Sequence, residues 1–144
     1  MARGGRDDKI DQLARVRLFS ACNKKELGLI GKASDELAVP AGKVLCEQGK
    51  PGFEFYLILD GEATVKRNNK AVTTLGPGGS FGELALLTRL PRNATVEATS
   101  DMRLLVLGQR EFSGLLDEVP GMAHKLLSSM AQRLSEADTK STSH

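Results

Sequence analysis

The chain has no tryptophan, one tyrosine and five phenylalanines in 144 residues, so any core must be built mainly from aliphatic side chains. Two cysteines, Cys22 and Cys46, are too few for a disulfide framework and read as thiols buried or half-buried in a reducing cytoplasm. Two histidines, His124 and the terminal His144, are too few for an imidazole metal site in a β-sheet, which excludes a metal-binding cupin. No apolar run approaches the roughly 20 residues of a membrane span. The start, Met1 to Asp8, lacks the apolar stretch of a secretory signal, so the expectation is a cytoplasmic protein with no membrane association. A formal charge of +2, scattered rather than striped, gives no footprint for nucleic acid. What remains is an ordinary globular composition, 40% apolar, of a size for one domain.

The apolar spacing of Ile10, Leu13, Ala14, Val16 and Leu18 predicts a first helix from Asp7 to about Leu18. Asn23, with Glu26 three residues on, predicts a capping box opening a second helix that runs to about Ala33. Both helices read as scaffolding. From residue 35 the period shortens. Val44–Cys46, Phe55–Leu59, Ala63–Arg67, Val72–Leu75, Ala94–Ala98 and Arg103–Leu107 read as short strands, with hairpin turns expected at Asp60-Gly61 and Asn68-Asn69. Phe112, Leu115 and Leu116 mark a helix interrupted at Pro120-Gly121. Met122, Leu126, Leu127, Met130, Leu134 and Ala137 mark a last one, and residues 139–144 read as a disordered tail. The fold class expected is mainly β with flanking helices. In it a jelly-roll-like barrel spans 35–108, with helices at 7–34 and 109–138, in a single domain of residues 1–138.

Glycine is plentiful, but the nucleotide loops fail. Counted from Gly76, Phe81 stands where G-x-G-x-x-G needs its last glycine, and Gly42-Lys43 is followed by Val44 where a P-loop needs Ser or Thr. There is no G-x-S-x-G, no histidine within the β region to activate Ser80 or Thr88, and no carboxylate clearly paired with Glu83. The expectation is no enzyme and no cofactor. What stands out is Gly78-Gly79-Ser80-Phe81-Gly82-Glu83-Leu84-Ala85-Leu86-Leu87, followed by Pro91-Arg92-Asn93-Ala94-Thr95-Val96. Glycines that admit close backbone approach, a helical turn with free N–H groups, one carboxylate and one arginine can hold a small anion that also carries hydroxyls. Read singly, Glu83 and Arg92 could equally be an exposed ion pair.

Gly82–Leu87 with Pro91–Val96 closely resembles the phosphate-binding cassette of cyclic nucleotide-binding domains, and Phe55–Gly61 resembles the strand and turn before it. The resemblance covers about residues 10–138 and implies a sensor binding cyclic AMP ahead of cyclic GMP, with movement of the last helix as its output. It implies Arg92 on the cyclic phosphate, Glu83 on the ribose 2′-hydroxyl, and Gly82, Leu84 and Ala85 amides as the cradle, with Asn93 and Ala94 lining the same turn. Val65, Val72, Thr73, Leu75, Phe81 and Leu134 match secondary positions around the ligand. Arg89 reads as a solvated neighbour. Implied partners are the nucleotide and a protein effector or second copy on the last helix. The alternatives are a ligand-free interaction module of this fold, or an excised regulatory domain of a transcription regulator, kinase or channel.

Overall fold

The computed structural model describes residues 6–88 and 90–142. The run Glu54–Asp60 is strand β3, and its side chains divide by parity. Phe55 and Leu57 point into one apolar cluster and Tyr56 and Ile58 into another, so the strand is buried on both faces. The other strands are β1 (Asp35–Val39), β2 (Val44–Cys46), β4 (Ala63–Arg67), β5 (Lys70–Leu75), β6 (Ser80–Phe81), β7 (Thr95–Ala98) and β8 (Met102–Gly108). They form two antiparallel four-stranded sheets, ordered β1-β8-β3-β6 and β2-β7-β4-β5. Val39, Cys46, Ile58, Ala63, Val96, Ala98, Met102 and Leu104 fill the space between the sheets. The fold is thus the mainly β jelly roll expected, with eight strands rather than six.

Four helices, α1 (Arg6–Ala14), α2 (Lys24–Ala33), α3 (Gln109–Glu118) and α4 (Met122–Thr142), lie outside the β3–β8 face. Their core joins Leu13, Phe19, Leu27, Ile30, Phe112, Met122 and Leu126 to Phe55, Leu57, Leu105 and Leu107. Phe19 meets Phe55 edge-on at 5.7 Å. The capping box at the start of α2 forms as expected, each of Asn23 and Glu26 accepting the other's backbone N–H at 2.8 Å. Asn68 and Asn69, at φ 53° and 67°, turn β4 into β5 as a two-residue hairpin.

Three local expectations are corrected. The first helix stops at Ala14, because Val16 takes an extended conformation (φ −72°, ψ 124°), and a 3₁₀ turn comes after it at Arg17–Phe19. Asp60-Gly61 is not a hairpin. β3 pairs with β8 and β6 whereas β4 pairs with β5 and β7, so the chain crosses from one sheet to the other. Gly61 makes the crossing at φ +92°, where a Cβ would fall 2.9 Å from Met102 Cα. The last helix continues through residues 139–142, which contain neither Gly nor Pro to stop it. Among the described residues, no helix is long and apolar enough to cross a membrane.

Helix α4 is tied to the N-terminal helices by the nearly buried Glu26, whose Oε1 also accepts from Lys125 Nζ at 2.7 Å. The Lys125 hydrogen bond holds the Glu26 carboxyl below its ordinary 4.5, with the Asn23 N–H adding to it. A depressed carboxyl binds fewer protons in the folded chain than in the unfolded one. Its stabilisation is therefore present above about pH 4.5 and is lost as pH falls through the folded value. Melting temperatures between pH 6 and 3 should accordingly fall less steeply for Glu26→Gln than for the natural chain. Equal slopes would mean that the Glu26–Lys125 tie carries none of the acid sensitivity.

Candidate functional site

Gly76-Pro77-Gly78-Gly79 ends β5 and returns the chain to the first sheet, where Gly78 N–H donates to Ile58 O and Ile58 N–H to Gly79 O. Gly82, at φ +83°, then turns the chain into a 3₁₀ turn at Glu83–Leu86. Leu86 anchors this turn in the helical core, while Ala85 is buried and its N–H donates within the turn to Gly82 O at 3.0 Å. The cassette is therefore seated directly on the packing that holds the helices.

A cavity of about 430 Å³ opens over this segment. Its walls are Gly78–Glu83, with Asn93, Arg133 of α4, and Arg15, Val16 and Arg17 from the elbow after α1. Of the sequence-predicted residues, Phe81, Gly82, Glu83 and Asn93 line it. Leu84 supplies backbone to the turn, and Ala94, the residue before β7, is buried. Val65 and Leu75 are half-buried in the second sheet and pack against its core. Val72 and Thr73 are exposed on β5, and none of these four lines the cavity. Phe81 stacks on Tyr56 at 4.8 Å, and burial pushes the Tyr56 hydroxyl up to about 12 and the Cys46 thiol above its ordinary value. Leu134 is 67% exposed; the α4 side chain at the cavity is its neighbour Arg133, about 100° away round the helix. Arg89 lies outside the described residues.

Glu83 and Arg92 do not pair with each other. Glu83 Oε1 accepts from Arg133 Nη2 at 2.6 Å, at partial exposure on both sides. Arg92 stands behind Gly82, its Nη2 donating to Glu54 O at 2.8 Å. Its backbone is clamped to the turn before β3, Arg92 N–H to Lys50 O and Gly49 N–H to Arg92 O. Two glycines make room for the guanidinium: a Cβ on Gly82 would lie 2.7 Å from Nη1, and one on Gly52 would overlap Nε and Cζ. Asn93 is exposed, and its backbone oxygen accepts from Arg67 Nε at 3.2 Å.

Sequence reasoning missed Gly52, Arg133 and the elbow residues Arg15–Arg17. The N-terminal segment is not scaffolding alone, because the elbow after the first helix supplies a cavity wall. Arg133 and Arg17 carried no local signal, since their relation to the cassette arises only when the helices pack.

On this jelly roll a glycine-rich turn and the Glu83 carboxylate line one cavity, while Arg92, seated on two glycines, stands behind Gly82 and outside the lining. A guanidinium, a carboxylate and close backbone are the group types that hold an anion carrying hydroxyls. The family model of the cyclic nucleotide-binding domain matches residues 36–119, more than half the chain. This chain belongs to the cyclic nucleotide-binding domain family. The cAMP-dependent protein kinase regulatory subunit of Schizosaccharomyces pombe is 40% identical over 105 residues, covering 72% of this chain and 26% of that one. The N-terminal domain of a transcriptional regulator from Streptomyces coelicolor A3(2) superposes with a TM-score of 0.83 at 29% identity, over 88% of this chain and 94% of that one. The Thermus thermophilus Catabolite Activator Protein superposes with a TM-score of 0.70 at 32% identity, over 86% of this chain and 61% of that one. The chain spans 24% to 31% of the length of the curated relatives among cAMP-dependent kinase regulatory subunits and a cyclic nucleotide-gated potassium channel. Domains of this family are regulatory, binding nucleotides rather than transforming them.

Proposed function

We propose that this chain is a cyclic nucleotide sensor that favours cyclic AMP over cyclic GMP and converts occupancy of the cassette into movement of α4. The observation that carries the reading is the Glu83–Arg133 pair, which joins the cassette carboxylate to α4 at the cavity rim. Arg92 receives the cyclic phosphate, with backbone amides of the Gly82–Ala85 turn completing the cradle, the Ala85 N–H leaving Gly82 O to do so. Glu83 accepts the ribose 2′-hydroxyl and in doing so gives up Arg133. Because a ligand shifts a helix only through differential contacts with its two positions, exchanging Arg133 for a hydroxyl at Glu83 is the physical source of the coupling. Gly121, at φ +87° between α3 and α4, is the hinge. The preference for cyclic AMP rests on relatives named for it, the kinase regulatory subunits and a cyclic AMP receptor protein. The domain needs no cofactor, performs no catalysis of its own, works in the cytoplasm and hands its signal to an effector protein.

Two measurements test this. A 2′-deoxy analogue of cyclic AMP should bind about tenfold or more weakly by calorimetry, since a hydrogen bond to a charged group is worth about 1.5–3 kcal/mol. Equal affinity would remove Glu83 from its role. Amide exchange over residues 122–136 should rise on saturation with cyclic AMP, and an unchanged profile would end the coupling. The exposed Leu127 and Leu134, seven residues apart on α4, favour as a second reading an interaction module without ligand. A thermal-shift screen separates the two, because a ligand bound by the folded state must raise the melting temperature.

A further inference from the structure

We propose that the nucleotide pocket has a second anion-recognising wall, the elbow at Arg15–Arg17, in which Arg17 is kept from the ligand phosphate by Glu136 of α4 until nucleotide enters. The proposal rests on the nucleotide-binding reading above. The charged residues lining the cavity are Arg15, Arg17, Arg133 and Glu83, three guanidiniums against one carboxylate. Glu83 is matched by Arg133. Arg17 Nη2 is matched by Glu136 Oε1, a carboxylate that does not line the cavity, and Arg15 has no ion pair among the described residues. The wall thus carries an excess of positive charge that a phosphate monoanion would neutralise.

The elbow is built to present these side chains. Val16, Leu18 and Phe19 are buried in the helical core, and Val16 is extended, so Arg15 and Arg17 flank it as exposed neighbours on one side. Their guanidiniums offer the forked geometry that suits two phosphate oxygens. The Arg17–Glu136 pair is 61% and 51% exposed, so water screens it and it holds weakly. A phosphate inside the cavity is screened less and displaces it. Arg133 and Glu136 are one turn apart, so α4 offers a cation to Glu83 in the pocket and, from outside its lining, an anion to Arg17. A cyclic nucleotide presents a hydroxyl and a phosphate to the same two residues. α4 is therefore a tethered competitor for the site it reports on, and binding releases it at both points.

The test is calorimetry with cyclic AMP on the full chain. Glu136→Gln, on the exposed side of a helix, should tighten binding by about threefold, the size of a weak exposed pair. Arg17→Ala should weaken it by about tenfold and reduce its salt dependence, with partial rescue by Arg17→Lys. In the Arg17→Ala background, Glu136→Gln should change nothing. Where Arg17→Ala lowers the melting temperature, Arg17→Gln replaces it. Unchanged affinity in Glu136→Gln, or the same tightening with and without Arg17, overturns the proposal. Failure is distinguishable from failure of the functional reading. If the natural chain binds and Arg92→Ala abolishes binding while the Arg17 and Glu136 variants are silent, only the second wall falls. If the natural chain binds neither cyclic AMP nor cyclic GMP, both fall.

Discussion

Arg92→Ala is expected to weaken cyclic AMP binding by about 2–5 kcal/mol, the cost of stripping one partner from a desolvated charge pair. At about 1.4 kcal/mol per decade this is a loss of roughly thirty- to several-thousand-fold, which calorimetry reads directly. Placement matters here before charge does. The Arg92 backbone is held on both sides by Gly49 and Lys50, and the guanidinium leans on Glu54 O, so the side chain is set in place before any ligand arrives. The fold asks little of it: among the described residues its one side-chain hydrogen bond is the one to Glu54 O. Stability should accordingly stay nearly level while affinity collapses. Arg89→Ala, three positions earlier in the sequence, is the control and should bind as the natural chain does. Unaltered affinity in Arg92→Ala would remove it from the phosphate site.

How far the fold and the site were legible from sequence depended on the range over which each signal acts. The capping box at Asn23 and Glu26, the β3 run at Phe55–Leu59 and the asparagine turn at 68–69 are decided within a few residues, and each forms as its residues dictate. The turn at Asp60-Gly61 has the same local chemistry as a hairpin turn and does something else, because the next strand, β4, pairs with β5 and β7 rather than returning along β3. No local rule separates those outcomes. The end of the first helix was hidden for a related reason. Val16 is compatible with a helix, and only its burial against the core draws it into an extended conformation. At the site, the cassette glycines, Glu83 and Arg92 were legible as types in a spacing. Their partners were not, since Glu54, Arg133 and Gly52 lie between 38 and 50 positions away and meet them only through sheet pairing and helix docking.

Gly52 yields the most discriminating prediction. It sits in the loop before β3, and its φ lies outside the left-handed region, so alanine carries no backbone strain there. A Cβ at this position would nevertheless occupy the space of Arg92 Nε and Cζ. The neighbour that must give way is a flexible side chain, so Gly52→Ala should leave the free energy of unfolding within the small range of ordinary surface substitutions, about 0.5 kcal/mol. The guanidinium, however, must leave Glu54 O, and cyclic AMP affinity should fall by about tenfold or more. Gly28→Ala is the matched control. It lies in α2 with open space around its Cβ and should stabilise the chain by about 0.5–1 kcal/mol without touching affinity. The decisive measurement is the double variant. If Gly52 acts only by seating Arg92, adding Gly52→Ala to Arg92→Ala costs nothing further, because the side chain it displaces is already gone. Additive losses would show instead that Gly52 meets the nucleotide through its own backbone, and the arginine seat would have to be abandoned as the reason for the glycine.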